Sequence, residues 1–470
     1  MGDGNLGSVA RPLRVAIVGS GPSGFYAAAA LFKAKDLAVR VDVYDRLPTP
    51  YGLVRGGVAP DHQNIKAVIK AYERTAAESG FRFFGNVHVG RDVQVDDLYA
   101  RYDAVIYAVG AESDRKLRIP GADLPGSYSA TELVGWYNGH PDFQDRDFDL
   151  SEVTSVVVVG VGNVAMDVAR VLAQRPERLE PTDITDEALA RLRESAVREV
   201  HVLGRRGPVQ AKFSPAEIRE IGGLPGVDLV VRPEDAEVDA PSQAWMDALE
   251  GREQRTIQKN LDYLAERAAA GPGDASRQVR VWLCTSPTAI LGEEHATGVE
   301  VERNEMTPGE GGEPWCEGTG QTEVIPAQLV FRAIGYRGIP LPGVPFDAKS
   351  GTIPNEDGRV LDAEAGEAIP GAYVVGWAKR GPSGLIGTNR ADSVATVQAL
   401  LADLVGTAPR ALVEEDVVDW IRRVIPEVVT FEDWERLDAL EVAEGERRGK
   451  VRHKFTRIED AIAALRDERP

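Results

Sequence analysis

Read for its alternation of apolar and polar positions, the chain opens on a short unbroken apolar run, Arg14–Val18 (RVAIV). A β-branched run of this kind predicts a parallel strand buried on both faces. It leads directly into Gly19-Ser20-Gly21-Pro22-Ser23-Gly24 and then into FYAAAALFKAK, whose alanines predict a helix. VRVDVYD predicts a second strand ending at Asp45, and Tyr102–Gly110 (YDAVIYAVG) a third that stops on glycine. The same order recurs later in the chain. Ser155–Val159 (SVVVV) predicts a buried strand, Gly160-Val161-Gly162-Asn163-Val164-Ala165 a turn, and MDVARVLAQ an amphipathic helix. A further strand, REVHVLG, ends at Arg205-Arg206-Gly207.

Between and beyond these repeats the pattern is looser. RPERLEPTDITDEALARLRESA reads as an inserted helical excursion, and TPGEGGEPWCEGTGQ as an exposed hairpin or loop. Gln328–Gly335 (QLVFRAIG) predicts a strand that begins the return to the first unit. Gly371–Gly376 predicts another strand, and Ala391–Leu404 a helix. From about residue 410 charged helices predict a covering appendage. The resulting division is 1–110, 111–327 and 328–470: an α/β chain in which a second Rossmann-like domain interrupts the first.

Strand, GxGxxG and helix in that order form a dinucleotide fingerprint. Gly19 permits the tight turn, Gly21 lets backbone approach a pyrophosphate, and Gly24 lets helix pack on strand. The free N–H groups at the helix start then hold the phosphates. Asp45 lies 21 residues past Gly24, where a carboxylate accepts hydrogen bonds from a ribose diol. The first site is therefore expected to take FAD or NAD. The second turn carries Ala165 in place of the third glycine, and its strand ends on two arginines. A guanidinium fork matches a phosphate, so this site reads as selective for the 2′-phosphate of NADP. Arg205 stands 45 residues after Gly160, a longer interval than usual, which the helical excursion accounts for. Two dinucleotides of different kind suit hydride exchange between nicotinamide and flavin.

Composition narrows the alternatives. The net charge of −20 opposes sequence-independent nucleic-acid binding and attraction to anionic membranes. Two distant cysteines, Cys284 and Cys316, form no CxxC motif, which removes an iron–sulfur cluster and a dithiol redox centre from the expectation. The six histidines show no metal-ligand spacing, so no metal is expected. The N-terminal residues lack a signal-like apolar core, and no run approaches the roughly 18 apolar residues of a membrane span. A soluble cytoplasmic protein is expected.

Eight segments carry a resemblance over essentially the whole chain: VGSGPSGFYAA, TPYGLVRGGVAPDHQNIK, FRFFGNVHVGRDV, YDAVIYAVGA, GNVAMDVARVL, GRRGP, FRAIGYRG and VVGWAKRGPSGLIGTN. The chain resembles the adrenodoxin reductase family, the ferredoxin–NADP reductases of glutathione-reductase-like architecture, in its actinobacterial form. The resemblance implies an FAD domain interrupted by an NADP domain. It implies FAD contacts at Gly19, Gly21, Ser23, Gly24, Asp45, Leu53, Val89, Trp377, Gly384, Leu385 and Ile386. It implies NADP contacts at Gly160, Val161, Gly162, Asn163, Val164, Arg205, Arg206, Glu217 and Gly384. His62 and Glu220 match a polar pair that the family places near the flavin, where they could tune proton supply. Relatives often carry Glu where Asp45 stands. The implied reaction passes a hydride from NADPH to FAD and then single electrons to a ferredoxin-type iron–sulfur protein; the implied state is a monomer. Docking such an acidic partner demands a local basic face, for which Lys379-Arg380 and ERRGKVRHK are the candidates. A flavin monooxygenase and a non-catalytic redox sensor are the competing readings, while a disulfide reductase lacks its cysteine pair.

Overall fold

Two sheets, one mostly and one wholly parallel, organise the chain in the computed structural model, which describes residues 5–384, 386–404 and 407–467. Each belongs to its own unit. The first unit comprises residues 1–58, 62–113 and 336–470, and the second residues 59–61 and 114–335.

In the first unit the sheet runs in the order Asn355–Glu356, Arg359–Leu361, Ala368–Val374, Ala104–Tyr107, Leu13–Val18, Val39–Tyr44, Phe81–Phe84. The strands from Ala368–Val374 onward pair in parallel, with Val15 opposite Val41 on one side and Ala104 on the other. Burial on both faces explains why Ala16 and Ile17 are inaccessible and why the sequence runs apolar without alternation. Strand order reverses at Leu13–Val18, so a crevice opens at its carboxyl end, where the first glycine turn lies.

The second unit repeats this plan with the all-parallel order Ser127–Ser129, Leu329–Arg332, Ser155–Val159, Glu199–Leu203, Arg277–Trp282, Val227–Val231. Here the reversal falls beside Ser155–Val159, at the second glycine turn. A separate antiparallel sheet of Thr285–Leu291, Gly298–Thr307 and Trp315–Pro326 completes the unit. Its last two strands are the expected hairpin, and most of Trp315–Pro326 is exposed. The helical excursion is a 3-10 turn at Pro176–Arg178 and a helix at Asp186–Arg193.

Two expectations are corrected. The strand Leu329–Arg332 does not begin the return to the first unit; Val330 pairs with Val157, so it completes the second unit's sheet, and the chain returns at Tyr336. An apolar run states that a strand is buried but not which sheet receives it. The C-terminal segment is also more than a cover. The helices Val417–Val424, Phe431–Arg447 and Ile458–Asp467 send Trp420, Ile421, Trp434, Leu437 and Leu465 into the first unit's cores. Glu441, with no exposed side-chain surface, accepts two hydrogen bonds from Arg55 at 2.8 and 2.5 Å and one from Arg452 at 2.9 Å. Burial raises its pKa, but the two guanidinium groups hold it below the ordinary glutamate value.

Candidate dinucleotide sites

The two glycine turns are built alike. Gly19 has φ 107°, and a Cβ there would stand 2.4 Å from the Ala108 carbonyl oxygen. Gly160 has φ 130°, and a Cβ there would stand 2.3 Å from the Ala333 carbonyl oxygen. These first glycines are demanded by the protein's own packing. Gly21 and Gly162 differ: nothing lies within 4 Å of a Cβ placed on either. Their small size answers no neighbour in the chain, which fits a ligand whose phosphates approach the backbone. Each of these glycines is the N-cap of its helix, Pro22–Phe32 and Asn163–Ala173, and neither helix start has a side-chain cap. The first N–H groups thus face the turn, where a pyrophosphate would accept them.

At the first turn Asp45 accepts from the Ser20 backbone N–H at 2.9 Å and from its hydroxyl at 2.5 Å. The Leu47 N–H donates to its other oxygen at 3.0 Å. The acid is therefore fixed at the strand end with lone pairs left for a diol. Tyr51, which sequence reasoning passed over, has φ 83°, and its N–H donates to the Ser20 carbonyl at 3.0 Å. A tyrosine in the left-handed region marks a backbone that the surrounding structure holds under strain. The neighbouring Leu53 begins the helix Leu53–Gly56 and is 37% exposed, while Val89 is buried. Ser23 is buried at the start of its helix, and its carbonyl accepts from the Ser393 hydroxyl at 3.0 Å.

Trp377 stacks on Tyr336 with ring centroids 5.4 Å apart, and its buried indole N–H has no hydrogen-bond partner among the described residues. The turn before it is held by Asp392, which accepts from the Gly376 N–H at 2.6 Å and pairs with Lys379 at 3.1 Å. Asp392 was also missed; no local pattern distinguishes it from an ordinary helix acid. Gly384 has φ 80°, Ile386 opens the helix Ile386–Leu404, and Leu385 lies outside the described residues. His62 is buried at the N-cap of Gln63–Lys66.

In the second unit the Val161 carbonyl accepts from Lys212 N–H at 2.9 Å, and the Asn163 side chain accepts from Ser214 N–H at 2.8 Å. Val161 and Val164 pack partly buried against the core. The arginine pair is pinned at its backbone: the Asn304 amide donates to the Arg205 carbonyl at 2.7 Å, and the Cys284 N–H to the Arg206 carbonyl at 3.0 Å. Glu217 and Glu220 sit on the helix Pro215–Gly222 and face a buried guanidinium that sequence reasoning missed. Arg170 has no exposed side-chain surface and lies 3.2 Å from Glu217, 3.8 Å from Glu220 and 2.7 Å from Asp167. Asp61 receives two further hydrogen bonds from it, both at 2.9 Å. Burial lowers the guanidinium pKa, but these acids hold it above the ordinary value. Both thiols are free, and burial pushes Cys284 up to about 11, which leaves little thiolate at neutral pH. No described helix is long and apolar enough to cross a membrane.

Two reversal-point crevices, each with a glycine turn at a helix start, define a two-dinucleotide oxidoreductase. Residues 13–222 match the family model for pyridine nucleotide-disulphide oxidoreductases. NADPH-ferredoxin reductase FprA of Mycobacterium tuberculosis is 46% identical over 96% of this chain and 99% of its own length. The mitochondrial NADPH:adrenodoxin oxidoreductase of Arabidopsis thaliana is 39% identical over 97% and 95%. The solved structure of M. tuberculosis FprA in complex with NADPH is similar with a TM-score of 0.89, at 44% identity, covering 97% of this chain and 100% of that one. The chain belongs to the ferredoxin–NADP reductases of adrenodoxin reductase type.

Proposed function

We propose that the chain oxidises NADPH and delivers the electrons singly to a ferredoxin-type iron–sulfur protein. FAD, when bound, supplies the chemistry that takes a hydride and gives up electrons one at a time. The observation that carries this reading is the contrast between the two strand ends: Asp45 fixed beside the first turn, Arg205 and Arg206 fixed beside the second.

We assign the first crevice to FAD. Gly19, Gly21, Ser23 and Gly24 present the helix start to its pyrophosphate, and Asp45 accepts from its ribose. Leu53, Val89, Trp377, Gly384, Leu385 and Ile386 serve the rest of the cofactor. We assign the second crevice to NADPH, with Gly160, Val161, Gly162, Asn163 and Val164 at the pyrophosphate and Arg205 and Arg206 at the 2′-phosphate. Glu217, already engaged by Arg170, acts on the nucleotide by holding the helix Pro215–Gly222 in place. His62 and Glu220 hold and move protons for the reduced cofactor. The direct test mixes the FAD-loaded protein, NADPH and a purified [2Fe–2S] ferredoxin without oxygen. Bleaching of the ferredoxin supports the reading; oxidation of NADPH that leaves the ferredoxin oxidised overturns the acceptor.

A further inference from the structure

Beyond the arginine pair itself, the second unit places a hairpin tip against it. Arg205 lays its guanidinium over the Trp315 ring at 5.1 Å from the centroid. Arg206 donates through Nη1 to Glu313 at 2.5 Å. Glu313 comes from the turn joining Gly298–Thr307 to Trp315–Pro326, and Trp315 opens the second strand opposite Thr307. Trp315 is 52% exposed, and its ring carries the Arg205 guanidinium at the protein surface. The arginine backbone, in contrast, is held by Cys284 and by Asn304 of the strand Gly298–Thr307, not by the tip residues themselves.

We propose that Glu313 and Trp315 set the preference of this site for a 2′-phosphorylated nucleotide, acting with opposite sign. The proposal rests on reading Arg205 and Arg206 as the 2′-phosphate site. Glu313 takes up the Arg206 Nη1 donor that the phosphate would use, so it competes with the ligand. Its side chain is 45% exposed and can return to water without a large desolvation cost, while the phosphate replaces one negative charge with nearly two. A nucleotide lacking the phosphate has no means to displace it. Trp315 works the other way. Its ring face holds the Arg205 guanidinium in one orientation before any ligand arrives, so less rotamer freedom is lost on binding.

The exposed pair Arg206–Glu313 sets the scale: removing the competitor strengthens phosphate binding by about two- to fivefold. Removing the ring face weakens it by a similar factor, about two- to fivefold. The experiment titrates the FAD-loaded protein with 2′,5′-ADP and with 5′-AMP, and compares kcat/KM for NADPH and NADH. Glu313→Gln is expected to tighten 2′,5′-ADP relative to 5′-AMP and to raise the NADPH-over-NADH ratio. Trp315→Ala is expected to do the reverse, and in Arg206→Ala the Glu313→Gln effect is expected to vanish. Bound flavin and 5′-AMP affinity report whether each variant is folded. If Arg206→Ala lowers the ratio but Glu313→Gln moves neither ligand, or moves both equally, the hairpin proposal falls and the arginine assignment stands. If Arg206→Ala leaves the ratio unchanged, the assignment of the 2′-phosphate site falls with it.

Discussion

Replacing Gly160 and Gly162 separately with alanine tests whether the two glycines of one turn serve different masters. At Gly160 the new Cβ would meet the Ala333 carbonyl oxygen at 2.3 Å with the backbone at φ 130°. The Ala333 N–H also donates to Val159 at 2.8 Å, so the carbonyl belongs to a fixed strand end and cannot retreat cheaply. Backbone strain contributes about 1–3 kcal/mol and overpacking about another 1–3 kcal/mol. For a unit of this size each kcal/mol lowers Tm by roughly 2–4 °C, so Gly160→Ala is expected to melt about 10 °C lower. Gly162 has φ −102°, which alanine adopts freely, and an empty neighbourhood. Gly162→Ala is expected to melt within about 2 °C of the parent, because unconstrained surface changes are small. Its Cβ would nevertheless hold the pyrophosphate off the helix N–H groups. Each lost charge-assisted hydrogen bond costs about 1.5–3 kcal/mol, so NADP binding should weaken by at least about tenfold. The assay pairs thermal melts of the FAD-loaded protein without nucleotide with an NADP titration followed by the flavin spectrum. Equal destabilisation by both substitutions, or unchanged NADP affinity in Gly162→Ala, would show that the two glycines do not answer to different partners.

Three further outcomes are expected. Gly21→Ala, also at an open position with φ −73°, should lower the amount of FAD retained on purification with the fold intact by circular dichroism. Arg170→Met strips the countercharge from Asp61, Asp167 and Glu217 and should cost about 3–5 kcal/mol in urea unfolding, as breaking a buried pair does. His201 is buried, accepts from the Trp282 indole at 3.1 Å, and is pushed by burial down to about 4 despite nearby Glu199. The unfolded chain therefore binds the proton more readily, so stability from this group is complete above about pH 6.5 and is lost as pH falls toward 4. Over that window the loss is roughly 2–4 kcal/mol, and His201→Asn should flatten the corresponding stretch of the Tm-against-pH curve relative to the parent.

Both glycine turns and their strand ends were legible because dinucleotide binding writes its needs locally: a buried strand, three small positions and a helix lie within a few residues of one another. The residues that escaped reading act over distance. Arg170 is one arginine in an amphipathic helix, and its acids come from residues 61, 167, 217 and 220. Tyr51 is held between Ser20, which accepts from its N–H, and Trp434, whose indole N–H lies 3.4 Å from its hydroxyl, partners far apart in sequence. The Leu329–Arg332 strand was visible as a strand, yet its sheet is chosen by Val156–Val159, some 170 residues earlier in the chain. The C-terminal helices looked like a charged cover because their solvent faces dominate the composition, whereas a few apolar positions, Trp434 and Leu437 among them, decide their burial.

On this reading the acid-ended crevice holds a flavin, and NADPH bound at the arginine-ended crevice reduces it. Anaerobic titration of the FAD-loaded protein with NADPH and separately with NADH, followed by flavin absorbance, tests it most directly. Bleaching by NADPH is expected at a far lower concentration than by NADH, with that advantage shrinking at least about tenfold in Arg205→Ala/Arg206→Ala. A flavin that NADPH leaves yellow, or an NADPH advantage that survives loss of both arginines, would contradict it.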